Sequence, residues 1–179
     1  MKPYTTIEVA PDGACHLPMQ LEGVGLEQLH TLLANRRILT CKIPKAQKPT
    51  EAWHVVLELD SGDYLELTSS FTRTTGWTEF GSVNIAAFQG EFKGSSSKWV
   101  ELPLDREFVI GALDIIRMNG DGVTVDSGVR ISSVDGRVFT AVSIDIPGAM
   151  LVTMPGEVPP MEWQFPFSDY AFVPLSSRS

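Results

Sequence analysis

The sequence predicts an α+β domain, a predominantly antiparallel β-sheet with one amphipathic helix packed on it, and three observations lead there. First, Val129, Ile131 and Ser133 alternate with Arg130 and Ser132, Asp135-Gly136 interrupts, and Val138, Thr140, Val142 and Ile144 resume a β-rich run. Asp-Gly between two such runs predicts a hairpin closed by a type I′ turn, because both residues tolerate the positive φ that turn needs. Second, Trp53, Val55, Leu57 and Leu59 alternate with Ala52, His54, Val56 and Glu58; Asp60-Ser61-Gly62-Asp63 then supplies turn residues, and Tyr64 to Thr68 alternates again. That is a second hairpin, with Trp53 on its core side. Third, Leu26, Leu29, Leu32 and Leu33 recur at helical spacing, Glu27 stands near the start, and Arg36-Arg37 closes the run. Each charge suits its end of a helix dipole, so residues 26–35 are expected to lay a leucine face on the sheet.

The remaining elements follow in order. Pro3, Pro11, Gly13 and Pro18 limit residues 1–22 to a short strand around Thr5–Val9. Residues 38–43 read as a strand, ended by a lysine-rich loop from Pro44 to Pro49. A strand is expected at Val83–Phe88, a flexible connection at Gly94–Lys98, and an edge strand at Trp99–Leu102 limited by Pro103. Residues 107–118 match either the helical or the strand period; their β-branched content and Gly111 favour a strand over a second helix. Asn119-Gly120-Asp121-Gly122 is turn composition. The prolines at 155, 159, 160, 166 and 174 predict an irregular tail over 154–179, pinned to the body by Trp163, Phe165, Phe167, Tyr170 and Phe172.

At 179 residues, with 43% apolar and 20% charged residues, the chain has the size and composition of one globular domain, 1–179. The net charge of −8 argues against nucleic acid, whose binding needs clustered Lys and Arg. It suits either a partner with a basic surface or simple solubility. No apolar run approaches the ~20 residues that span a bilayer, and the first residues lack the apolar core of a signal peptide, so a cytoplasmic protein with reduced Cys15 and Cys41 is expected.

Motifs for chemistry are sparse. Cys15, His16, His30, Cys41 and His54 match no zinc-ligand spacing. Asn119, Asp121 and Asp126 are spaced loosely like a calcium loop, but Arg130 stands where the closing carboxylate belongs, which leaves a turn. Asp60 and Asp63 bracket a glycine, as turn residues do. Neither a nucleophile elbow nor a phosphate loop is present. The expectation is no catalytic residue, no cofactor and no metal. Trp77, among the turn residues of Thr-Thr-Gly-Trp-Thr-Glu-Phe-Gly, is the best interface tryptophan.

Several stretches together carry a family likeness. They are the leucine helix ending in Arg36-Arg37-Ile38, the hairpin from Val55 to Leu67, Gly76-Trp77-Thr78-Glu79, the hairpin from Asp126 to Arg137, and Phe165-Pro166-Phe167-Ser168-Asp169-Tyr170. Their succession resembles small bacterial proteins akin to immunity proteins of polymorphic or contact-dependent toxin systems. The resemblance implies stoichiometric capping of a cognate toxin domain with a basic surface. The exposed acids at hairpin ends, Asp60, Asp63, Asp121 and Asp135, would make the contacts, with Trp77 as an anchor. A small-ligand-binding or enzymatic β domain and a self-assembling structural subunit are the alternatives.

Overall fold

The segment that matched two periods is a strand. In the computed structural model, which describes residues 4–74, 78–90, 92, 98–104, 106–120, 122–157 and 163–175, β9 (Phe108–Gly120) pairs antiparallel with β10 (Val123–Ser133) along almost its whole length. Ile115 packs into one apolar cluster and its neighbour Ile116 into another. A strand covered on both faces carries no clean alternation, which is why the sequence pattern there was ambiguous.

Chain order gives β1 (Glu8–Val9), β2 (Cys15–Leu17), β3 (Gln20–Glu22), α1 (Leu26–Leu33), β4 (Arg37–Pro44), β5 (Val55–Leu59), β6 (Asp63–Arg73), β7 (Glu79–Gln89) and β8 (Trp99–Leu102). β9 and β10 follow, then β11 (Val138–Ser143), β12 (Met150–Thr153) and β13 (Tyr170–Pro174). The strands form one curled sheet in the order β1-β2-β10-β9-β4-β5-β6-β7-β3, with β11 and β12 beside β10, β13 beside β9 and β8 beside β4. Its two halves join where Arg37 and Ile38 pair with Val109 and Phe108. Between the halves lies the main core, with Leu57, Leu65, Leu67, Ile85, Phe108, Ile115, Val129 and Ile131, closed at one end by Leu29 and Leu33 of the helix. Among the described residues, no helix is long and apolar enough to cross a membrane.

The sheet is mostly antiparallel but mixed. β2 runs parallel to β10, and β3 runs parallel to β7. Both exceptions are the short N-terminal strands, which Pro18 separates. The Met19 N–H, beside that proline, donates to the Asp126 carboxylate at 3.2 Å. The N-terminus thus contributes an edge to each half of the sheet, a placement that local pattern could not foretell.

Other expectations need correction. Gly136 alone takes a positive φ (+85°) in its hairpin, and its N–H donates to the Ser133 carbonyl at 3.0 Å. The link is therefore a three-residue loop with a left-handed glycine in third place, not a type I′ turn. Gly62 (φ +84°) closes the β5–β6 hairpin in the same way, its N–H on the Leu59 carbonyl at 3.0 Å. Trp53 is 55% exposed, not core. It precedes β5, in which Val55, Val56 and Leu57 are all buried, so the alternation there did not separate inside from outside. The helix ends at Leu33 because Asn35 takes a left-handed conformation (φ +58°), a common helix stop. The tail holds a strand: β13 pairs with β9 from Tyr170 to Pro174 and, among the described strands, with no other, the edge position in which a sheet tolerates proline. Trp163 packs edge-on against Tyr170 (4.6 Å), as the tail's aromatic content required. Residues 94–97 of the expected flexible connection lie outside the described residues.

Candidate partner-binding site

The structure treats the acids at the hairpin ends very differently. Asp60, at the end of β5, accepts from Arg37 Nε at 3.0 Å and from the Arg37 backbone N–H at 3.2 Å. Arg37 reaches on to Glu107 at 2.8 Å. Asp135 is gripped by Arg137 Nε at 2.9 and 3.1 Å and by the Ser133 hydroxyl. Arg137 in turn donates to the Arg106 and Glu107 carbonyls. One ridge thus runs Asp60–Arg37–Glu107–Arg137–Asp135. The hydrogen bonds from Arg137 and then Ser133 pull the Asp135 carboxyl down to about 2, and those from Arg37 hold Asp60 below the ordinary carboxylate range. Glu107 first, then Asp60, raises the Arg37 guanidinium further. Both carboxylates are already satisfied by the protein's own arginines. Trp77 and Asp121 lie outside the described residues.

Asp63 has a different setting. Its carboxylate accepts from the Ser61 hydroxyl at 2.7 Å and, among the described residues, pairs with no basic side chain. It lines an open cavity of about 270 Å³ whose walls, among the described residues, are Gly23, Val24, Gln28, Leu32, Asp63, Ala87, Phe88 and Gln89. The register explains the placement. Asp63 begins β6 opposite Gln89, which ends β7. Side chains alternate along a strand, so Asp63 shares a face with Leu65 and Leu67, the core face, at the point where the core gives out. Val24, Leu32 and Ala87 pack against that core and make the apolar wall.

The helix forms the remaining side of the cavity, and a glycine sets its position. Gly23 links β3 to α1 with φ +74°, and a Cβ there would lie 2.4 Å from the Ala87 carbonyl oxygen. Only glycine allows the chain to leave its parallel pairing with β7 so close to that strand. Two residues on, the Gly25 N–H donates to Gln28 Oε1 at 2.9 Å, which fixes the first turn of the helix and leaves the Gln28 amide at the cavity. Arg36 lines the next hollow along the helix, which shares Gln28 and Leu32 with this one. Sequence reasoning singled out Asp63 but missed every other wall, because the wall residues come from four separate segments that only the sheet register brings together.

The other ionisable groups serve the scaffold. Asp126, fully buried, accepts from Arg117 Nε at 2.8 Å, with Nη2 at 2.7 Å, and His16 Nε2 lies 3.6 Å away. Asp114 accepts from Arg130 Nε at 2.8 Å, and that guanidinium lies 3.9 Å over the Phe172 ring. On the outer face of the sheet, Lys42 pairs with Glu58 at 2.9 Å and His54 with Glu66 at 3.0 Å. Burial pushes the Cys41 thiol up to about 12, far from a thiolate nucleophile. Among the described residues no cluster of three or more His, Cys, Asp or Glu is arranged to hold a metal ion. No protein-family model matches the chain, and neither curated proteins nor solved structures yield a match.

Proposed function

We propose that this is a non-enzymatic protein-binding protein that caps a partner stoichiometrically, the partner being a domain with a basic surface. In the form the sequence resemblance implies, it is an immunity protein and the partner a bacterial toxin domain. The observation that carries the reading is the contrast among the hairpin acids. Asp60 and Asp135 are neutralised by Arg37 and Arg137, whereas Asp63, which lines a cavity, has no ion-pair partner among the described residues. A charge left open beside an apolar wall suits recognition of a partner's charge more than stability. The net charge of −8 would steer a basic partner toward the molecule.

The test is a pull-down with the tagged protein from its native lysate, eluted by a salt gradient. One stoichiometric basic partner, released as ionic strength rises and absent from a Asp63→Asn bait, supports the reading. Recovery of the protein alone would overturn it in favour of a self-assembling subunit.

A further inference from the structure

We infer that the cavity at Asp63 is a socket for one long cationic side chain, a lysine or arginine, of the partner. The inference rests on the protein-binding reading above and adds the chemistry of the contact. Three features of the cavity select that occupant. Its volume of about 270 Å³ is small for a whole organic ligand and suits a single side chain. Val24, Leu32 and Ala87 offer an apolar wall continuous with the core, against which an aliphatic stem packs. Asp63 is the one charged group among the described lining residues, with the Gln89 amide as a neutral polar partner beside it in the strand register.

Charge and geometry exclude the other occupants. An anionic or purely apolar group would leave the half-buried Asp63 carboxylate facing it without compensation. A short cation would satisfy Asp63 and leave the apolar wall wet. The lysine stem of four carbons or the arginine stem of three spans the wall and delivers its donors to the carboxylate. Arg36, in the neighbouring hollow, makes no ion pair with Asp63.

The probe is N-acetyl-lysine methylamide, titrated into the isotope-labelled full chain and followed by backbone amide shifts, with N-acetyl-norleucine methylamide, which keeps the four-carbon stem without the ammonium, as the neutral control. Saturable shifts at Gly23, Asp63 and Gln89 are expected with the lysine compound and none with norleucine. Asp63→Asn should weaken the lysine titration by about tenfold or more, the scale of one charge-assisted hydrogen bond, with the thermal midpoint retained. Gln89→Trp, at an exposed position opposite Asp63, should block the cavity mouth and abolish the shifts. Equal responses to lysine and norleucine, or an Asp63→Asn protein that titrates like the wild type, would overturn the socket. Its failure is separable from that of the protein-binding reading. A partner captured equally by wild type and Asp63→Asn, with a silent probe, removes the socket alone; a probe bound at Asp63 with no partner captured removes the reading alone.

Discussion

Replacing Gly23 by alanine should cost far more than its exposed position suggests. Two effects add at this site. A left-handed backbone costs an L-residue roughly 1–2 kcal/mol, and Gly23 has φ +74°. The new Cβ would also lie 2.4 Å from the Ala87 carbonyl oxygen, where ordinary contact begins at 3.4 Å, so helix and strand must part by about 1 Å. Together these give about 3 kcal/mol, or a fall in Tm of roughly 6–12 °C for a chain of this length. Gly62→Ala is the matched control. Its φ of +84° carries the same strain, but nothing lies within 4 Å of the added carbon, so about 1 kcal/mol is expected. Loss of glycine freedom in the unfolded chain is common to both and cancels in the comparison. Urea unfolding of the two variants at matched slope measures the difference directly. Equal costs would refute the close approach of the helix entry to Ala87 of β7, and with it the wall of the cavity. Gly23→Ala should also weaken the lysine titration, whereas Gly62→Ala is expected to leave it within twofold.

Two further outcomes test the scaffold. Arg117→Met takes the guanidinium from the fully buried Asp126 carboxylate, which keeps the Met19 N–H and the nearby His16, so a loss near the lower end of the usual range, about 3 kcal/mol, is expected in urea unfolding. Adding Asp126→Asn to that variant should recover part of the loss, and a cost below about 1 kcal/mol for Arg117→Met alone would contradict the pair's role. Acid unfolding reads the ridge. Asp135 falls from an ordinary 3.8 to about 2 when folded, so its contribution is complete above the higher value and is lost as pH drops through the lower one. Stability should therefore decline between about pH 4 and pH 2, and Arg137→Met should flatten that decline; an unchanged profile would deny Arg137 its part.

Much of the strand inventory was legible because hairpins are local objects. Asp135-Gly136 and Asp60-Ser61-Gly62 each mark a place where the chain must reverse, and β10–β11 and β5–β6 form there. The leucine spacing likewise placed the helix, since a period of 3.6 needs nothing beyond the segment itself. The turn type at Asp135-Gly136 was misjudged because an Asp-Gly pair serves two loop lengths, and the register of the strands decides between them. Trp53 was misplaced because a strand buried on both faces has lost the alternation that would sort its residues. Hairpin acids were legible as residues but not as charges. Whether Asp60 or Asp63 remains open to a partner depends on Arg37, whose strand runs beside β5.

By itself, then, the chain determined which segments extend, which one coils and where they turn, since those preferences reside in a few neighbouring residues. Tertiary structure alone decided that β2 and β3 join their neighbours in parallel, that Arg37 quenches Asp60, and that Gly23, Gln28, Asp63 and Gln89 share one cavity. Those residues lie up to 66 positions apart, from 23 to 89. Their meeting is set by strand register and by the packing of one helix against the end of a core, which no local propensity encodes.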